Sequence, residues 1–281
     1  MAPLQTAHRA NARSPIQPVI ASGGGVWRER YSSCCESCYR LAAPCPHYTE
    51  SPLTLLIVGH NPSEHTWSTG YPYSNPSNRF WSLLVDGGVL PAEVPAGVVP
   101  GDSTVSRWTP AAANRLPDLL GIGITDVGCE PGSEADKYPR ATMLRWRDDL
   151  YARLRAHRQR AGRAPLVVAF SGVRQWSQLF EPPLKRLPRF GRQHAESDYP
   201  PRWPYKTCNT AVFVLPSSSG RAVFTKEERL APYRQLGEYL SARRREPQQE
   251  PQQELQHEEL PVDKIARTVK VEATRQQTDA T

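Results

Sequence analysis

Three stretches of this chain concentrate residues able to do chemistry. The first runs Gly59-His60-Asn61-Pro62-Ser63, then Thr69-Gly70-Tyr71-Pro72-Tyr73-Ser74-Asn75-Pro76-Ser77-Asn78-Arg79-Phe80-Trp81. Amides, tyrosines and prolines spaced this closely make a stiff loop that presents hydrogen-bonding groups beside a flat ring, while Phe80 and Trp81 read as core. The second is Pro216-Ser217-Ser218-Ser219-Gly220-Arg221-Ala222. Small hydroxyl residues and a glycine let a backbone approach a phosphate, and Arg221 is placed to reach beyond it. No Gly-x-Ser-x-Gly elbow accompanies these serines, which argues against a serine nucleophile on an α/β-hydrolase scaffold. The third is Cys34, Cys35, Cys38 and Cys45, with His47 just beyond. Cys35-x-x-Cys38 has the spacing of zinc ligands, but Cys45-x-His47 is tighter than the usual finger. The cluster reads either as one structural zinc site or as free thiols in a partly unfolded arm.

The elements that must position these residues follow from hydrophobic patterning. Four short apolar runs, Leu53–Val58, Ile122–Val127, Leu166–Phe170 and Ala211–Leu215, read as buried strands. Helical stretches lie between and after them: Arg79–Val85 stopped by Gly87-Gly88, Ala141–Arg160, and the amphipathic Lys226–Leu240. Strands alternating with helices predict a three-layer α/β/α domain around a central, mainly parallel four-stranded sheet. In such sheets the active crevice lies beyond the carboxyl ends of the strands, which is where the first two stretches and Asp126 fall.

Composition bounds the rest. Only 38% of the 281 residues are hydrophobic, so part of the chain is expected not to fold. Residues 1–28 read as a flexible arm, 29–51 as a Cys-rich segment, 52–242 as one folded domain and 243–281 as a disordered, charged and Gln-rich tail. No acidic residue precedes Glu29, so an organellar transit peptide is a second reading of the arm, though its weak periodicity favours disorder. A net charge of +7 permits a polyanionic partner. No apolar run is long enough to cross a bilayer, so a non-membrane protein is expected. Nothing resembles a secretory signal, and reduced or metal-bound thiols are the default expectation.

Taken together and in order, the motifs resemble the mismatch-specific thymine/uracil branch of the uracil-DNA glycosylase superfamily. The matching stretches are Gly59-His60-Asn61-Pro62, Tyr71-Pro72-Tyr73, Asn78-Arg79-Phe80-Trp81 and Gly121-Ile122-Gly123-Ile124-Thr125-Asp126. Phe170-Ser171-Gly172, Phe190-Gly191-Arg192-Gln193 and Leu215-Pro216-Ser217-Ser218-Ser219-Gly220-Arg221 continue the series, which spans about residues 53 to 241. The resemblance implies a glycosylase without lyase activity that flips uracil or thymine mispaired with guanine out of the duplex and hydrolyses its N-glycosidic bond. No lysine in the matched loops offers a Schiff base, in keeping with hydrolysis.

By the same resemblance Asn61 holds the attacking water, since an amide orients water but is no general base. Tyr73 stacks on the flipped pyrimidine, Asp126 reads its edge, Thr66 lies near its 5-position, and Asn78 belongs to the base-binding set. Ionised Asp126 would oppose the departing pyrimidine anion, so the edge-reading role requires a protonated carboxyl. His60 replaces the usual apolar residue and either steadies the leaving group or simply packs. Ser217, Ser218 and Ser219 pinch phosphates, Gly220 belongs to the same DNA-binding set, and Arg221 fills the hole left by the flipped base.

No catalytic cofactor is implied; zinc in the Cys cluster would be structural. Expected partners are double-stranded DNA with a mismatched or damaged pyrimidine, downstream abasic-site repair enzymes, and the small ubiquitin-like modifier at Lys270 within Val269-Lys270-Val271-Glu272. A nuclear monomer is expected, with mitochondrion or plastid as the alternative location. A different class of reading is a catalytically weak or inactive DNA-binding scaffold that keeps the fold.

Overall fold

Alternation along the strands decides the architecture. In the computed structural model, which describes residues 28–95, 98, 107–132, 137–206 and 208–245, five strands form one sheet. They are β1 (Leu55–Gly59), β2 (Ile122–Asp126), β3 (Val167–Phe170), β4 (Gly191–Gln193) and β5 (Ala211–Val214), in the order β2-β1-β3-β5-β4. The four longer strands are parallel, with Leu55 opposite both Ile122 and Val167, and Val167 opposite Ala211. Only β4 runs antiparallel, against β5. The expected mainly parallel sheet is therefore present with five strands in place of four. Gly191-Arg192-Gln193 carries no apolar run and was invisible to patterning.

The helices are α1 (Glu36–Arg40), α2 (Glu64–Thr69), α3 (Phe80–Asp86), α4 (Leu116–Leu120), α5 (Arg140–Ala161), α6 (Val173–Ser177) and α7 (Lys226–Arg245). Leu55, Ile57, Ile124, Val167, Ala169 and Phe213 point to one face, where they pack with Phe80 and Leu84 of α3 and Leu230, Tyr233 and Leu236 of α7. Leu56, Val58, Val168, Phe170, Val212 and Val214 point to the other, against Met143, Trp146, Leu150 and Leu154 of α5. Both faces of a parallel sheet are thus buried, as its crossover helices demand. Among the described residues no helix is long and apolar enough to cross a membrane.

The helix ends are specified locally. At α7, Thr225 Oγ1 accepts from the Glu228 backbone N–H at 3.2 Å and the Glu228 carboxylate accepts from the Thr225 N–H at 2.8 Å, a reciprocal capping box. The helix α5 stops at Gly162, whose φ of 80° needs no Cβ.

The outer edge of β2 is covered by the segment before α1. Arg30 and Ile124 exchange backbone hydrogen bonds of 2.8 and 3.1 Å, which occupies an edge that would otherwise invite strand pairing. The residues expected as an N-terminal arm up to residue 27, the tail beyond residue 245 and Lys270 lie outside the described residues.

A close approach fixes how α7 sits on α3. A Cβ at Gly237 would overlap the carbonyl oxygen of Gly87 and lie 2.9 Å from the carbonyl carbon of Gly88, both backbone atoms that cannot swing away. Alanine is the better helix former by about 1 kcal/mol, yet overpacking against backbone costs roughly 1–3 kcal/mol. Gly237→Ala is therefore expected to lower the urea midpoint; a raised midpoint would show that the two helices separate freely.

Candidate active site

The carboxyl ends of β1, β2, β3 and β5 open into a cleft of about 950 Å³. His60, Asn61, Thr66, Tyr73, Asn78, Asp126, Ser217, Ser218, Ser219, Gly220 and Arg221 all line it, although they come from segments up to 161 positions apart. The Cys cluster does not contribute to this lining.

Asn61 is the most tightly specified of them. Its Nδ2 donates to the carbonyls of Glu130 and Gly132 at 3.0 and 3.1 Å and to the Tyr138 hydroxyl at 2.8 Å. Carbonyls only accept, so the amide nitrogen must face them and Oδ1 must face the other way. There Oδ1 lies 2.7 Å from His60 Nδ1. An amide oxygen only accepts, so Nδ1 carries the proton. Burial holds the His60 pKa below the usual imidazole range, so the ring is neutral and its Nε2 is a bare acceptor. That Nε2 is buried without a hydrogen-bond partner. Trp146 and Tyr138 pack around the ring with centroids 6.0 and 5.9 Å away. His60 thus packs against two aromatic rings with Nδ1 hydrogen-bonded to Asn61, while it also lines the cleft. The Oδ1 atom keeps a second lone pair for a donor such as water.

Facing this pair are Tyr73 and Asp126. Tyr73 has a left-handed backbone with φ of 54°, a conformation that costs a non-glycine residue about 1–2 kcal/mol. It is held there by a stacked contact with Phe80, centroids 3.7 Å apart, and by a 2.8 Å hydrogen bond between its hydroxyl and Ser171 Oγ. Phe80 takes one face of the ring, and Tyr73 also lines the cleft. Asp126 ends β2 and is only 8% exposed. Burial, aided by the nearby Glu29 carboxylate and opposed by Arg153 and Arg30, pushes its pKa up to about 7. Glyine-sized space makes this packing feasible: a Cβ on Gly59 would overlap the Asp126 carboxyl and lie 2.8 Å from the Tyr73 hydroxyl.

The remaining lining residues are held by short-range bonds. Ser63 caps α2, accepting from the Thr66 N–H at 3.1 Å and donating to Thr66 Oγ1 at 3.1 Å, which fixes the Thr66 side chain. Asn78 Oδ1 accepts from the Phe80 N–H at 2.9 Å and so starts α3. The serine loop packs on residues 77–79: Arg79 N–H donates to the Ser218 carbonyl at 2.9 Å, and a Cβ on Gly220 would sit 2.6 Å from the Ser77 carbonyl oxygen. Ser218 is buried at 3% exposure, whereas Arg221 is exposed. The hydroxyls of Ser217 and Ser219 accept from the backbone N–H two positions on, each at 3.3 Å.

Sequence reading missed Glu130, Gly132 and Tyr138, which lock Asn61. Only the Pro131-Gly132 turn just after β2 carried a local signal, and Tyr138 carried none. It also missed Glu29, which forms a 2.7 Å ion pair with Arg153, accepts a hydrogen bond from Thr125 Oγ1 and sets the charge behind Asp126. Among the metal-ligand candidates, Cys35, Cys38, Cys45 and His47 bring their ligand atoms within 4.8 Å of one another; Cys34 stands outside that group, and His47 takes the fourth place.

Comparison with known proteins agrees with this geometry. The chain is 28% identical over 178 residues to a protein of Schizosaccharomyces pombe named G/U mismatch-specific uracil DNA glycosylase. The match covers 62% of this chain and 46% of that protein, so it spans about half the relative's length. The profile of the Uracil DNA glycosylase superfamily matches residues 46–241, a stretch that holds every residue of the cleft. With its strand-end motifs in order and most of its length matched, the chain belongs to the uracil DNA glycosylase superfamily.

Proposed function

We propose that this protein hydrolyses the N-glycosidic bond of uracil mispaired with guanine in duplex DNA and leaves an abasic site. The observation that carries this reading is Asn61, whose amide is fixed one way round with an oxygen lone pair available at the cleft. A water donating to that oxygen is held with its own lone pairs free to attack the sugar carbon. Positioning of this kind is what an amide, itself no general base, can supply. The pyrimidine enters between Tyr73 and the Asp126 end of the cleft, after extrusion from a mismatch that costs less to open than a matched pair. Stacking of the base on the Tyr73 ring contributes about 1–3 kcal/mol.

A protonated Asp126 can accept from the pyrimidine N3–H and donate to a neighbouring carbonyl oxygen, easing charge onto the departing base. Ionised, it only accepts and repels that charge. A pKa of about 7 makes both forms accessible near neutrality. Among the described residues the cleft lining contains no lysine, which supports simple hydrolysis over strand cleavage through a Schiff base. Arg221 and the serine loop lie at the rim, suited to the emptied stack and the phosphates beside it.

Duplexes carrying G·U, G·T or A·U, and single-stranded uracil DNA, distinguish the readings when abasic products are cleaved with alkali. G·U is expected to react fastest. Asn61→Ala is expected to lower the single-turnover rate on the order of 100-fold with little change in duplex binding. No product from any substrate would instead support an inactive scaffold. Equal rates for Asn61→Ala would remove the proposed water holder.

The Asp126 role has its own signature. Since the neutral acid is the active form and its pKa is raised to about 7, the single-turnover rate is expected to fall as pH rises through that value. Asp126→Asn, permanently neutral, is expected to flatten this dependence while retaining activity. A wild-type profile level between about pH 6 and 9 contradicts the assignment.

A further inference from the structure

The strongest group of ligating side chains outside the cleft is Cys35, Cys38, Cys45 and His47. Their four ligand atoms lie within 4.8 Å of one another. His47 Nδ1 is 3.3 Å from Cys35 Sγ, 3.8 Å from Cys38 Sγ and 3.6 Å from Cys45 Sγ. A tetrahedral zinc with bonds of about 2.3 Å to sulfur and 2.0–2.1 Å to nitrogen has sulfur-to-nitrogen edges of about 3.6 Å. The observed edges bracket that length. A multi-iron cluster, whose thiolates bind different irons, needs its ligands farther apart. All the described cysteines are free thiols, so no disulfide accounts for the convergence. Cys34 lies beside this group rather than in it: its Sγ is 3.5 Å from the Cys35 carbonyl oxygen and interacts with the Cys45 thiol, but it is not among the four residues whose ligand atoms converge.

The segment carrying these residues touches the loop that leads into Tyr73. Tyr39, one position after Cys38, stacks on Tyr71 with centroids 5.0 Å apart and donates to the Thr69 carbonyl at 3.5 Å. Arg30 donates to the Gly70 carbonyl at 2.8 Å and lies 5.7 Å from the Tyr39 ring. Arg28 ties the two halves of the Cys-rich segment together, donating to the carbonyls of Ala43 at 2.6 Å and Cys38 at 3.4 Å. Five residues of α1 are too few to hold this arrangement by helix propensity alone.

We propose that Cys35, Cys38, Cys45 and His47 Nδ1 bind one structural zinc ion that clamps residues 28–48 against the Thr69–Tyr71 loop. The three thiols bind as thiolates and release their protons to solvent; His47 binds neutral. The ion leaves no open coordination position and takes no part in glycosidic cleavage.

The full chain, expressed in zinc-supplemented medium and purified under reducing conditions, is expected to carry about one zinc. The Cys34→Ser variant is expected to keep it, and Cys45→Ser and His47→Ala to lose most of it. Cobalt exchanged into the wild-type protein is expected to give the intense thiolate charge-transfer and visible bands of a tetrahedral sulfur-rich site, a readout that does not depend on any variant folding. Zinc-free wild-type protein, an octahedral cobalt spectrum, or loss of metal from Cys34→Ser overturns the site. Stripping the zinc is expected to speed hydrogen exchange at residues 69–71. Unchanged exchange there overturns the clamp. Metal content and exchange are read without substrate, so they stand apart from the question of activity.

Discussion

The side-chain amide of Asn61 can lie only one way round. Two backbone carbonyls, from Glu130 and Gly132, demand its nitrogen, and the His60 Nδ1–H takes one lone pair of its oxygen. These partners come from three parts of the fold. His60 and Asn61 follow directly from β1, Glu130 and Gly132 from the turn after β2, and Tyr138 from the approach to α5. The register of β1 beside β2, with Gly59 opposite Asp126, brings these pieces together. An amide has no useful basicity near neutrality, so the value of Asn61 lies in orientation, and orientation is what four partners from three segments provide.

The electrostatics of the cleft depend on a layer behind it. Asp126 is buried, and Glu29 from the segment before α1 adds a like charge that favours its neutral form. Arg153 joins the layer from α5: it pairs with Glu29 and donates to the Asp126 carbonyl at 2.6 Å. A carboxyl at the position implied to read the pyrimidine edge would hinder cleavage if ionised; this surrounding turns it into an acid balanced near neutral pH. The segment that supplies Glu29 also covers the exposed edge of β2, so sheet protection and site electrostatics share one element.

Much of this was legible in the sequence. The four long strands are almost continuous apolar runs because both faces of a parallel sheet are covered, and each candidate residue followed such a run. What patterning could not reveal was contact across distance. Tyr138 reaches Asn61 over 77 positions and Glu29 reaches Thr125 over 96, and neither pairing leaves a local trace. The strand β4 escaped because an edge strand of three residues needs no apolar run. The Cys cluster showed its spacing but not its membership: the turn after α1 brings His47 inward in place of Cys34. His60 looked like a departure from the family pattern, yet its ring nitrogen lies 2.7 Å from the asparagine oxygen and is one of the four groups that meet the amide.

A double-mutant cycle measures directly the proposed action of His60 through Asn61. Single-turnover uracil excision and duplex binding would be compared for wild type, His60→Ala, Asn61→Ala and the double variant. His60→Ala alone is expected to slow excision on the order of tenfold, as loss of one orienting hydrogen bond allows, without weakening binding. With Asn61 already removed, the same change is expected to have no further effect on the rate. Independent, additive losses would contradict the account and give His60 a role of its own at the substrate.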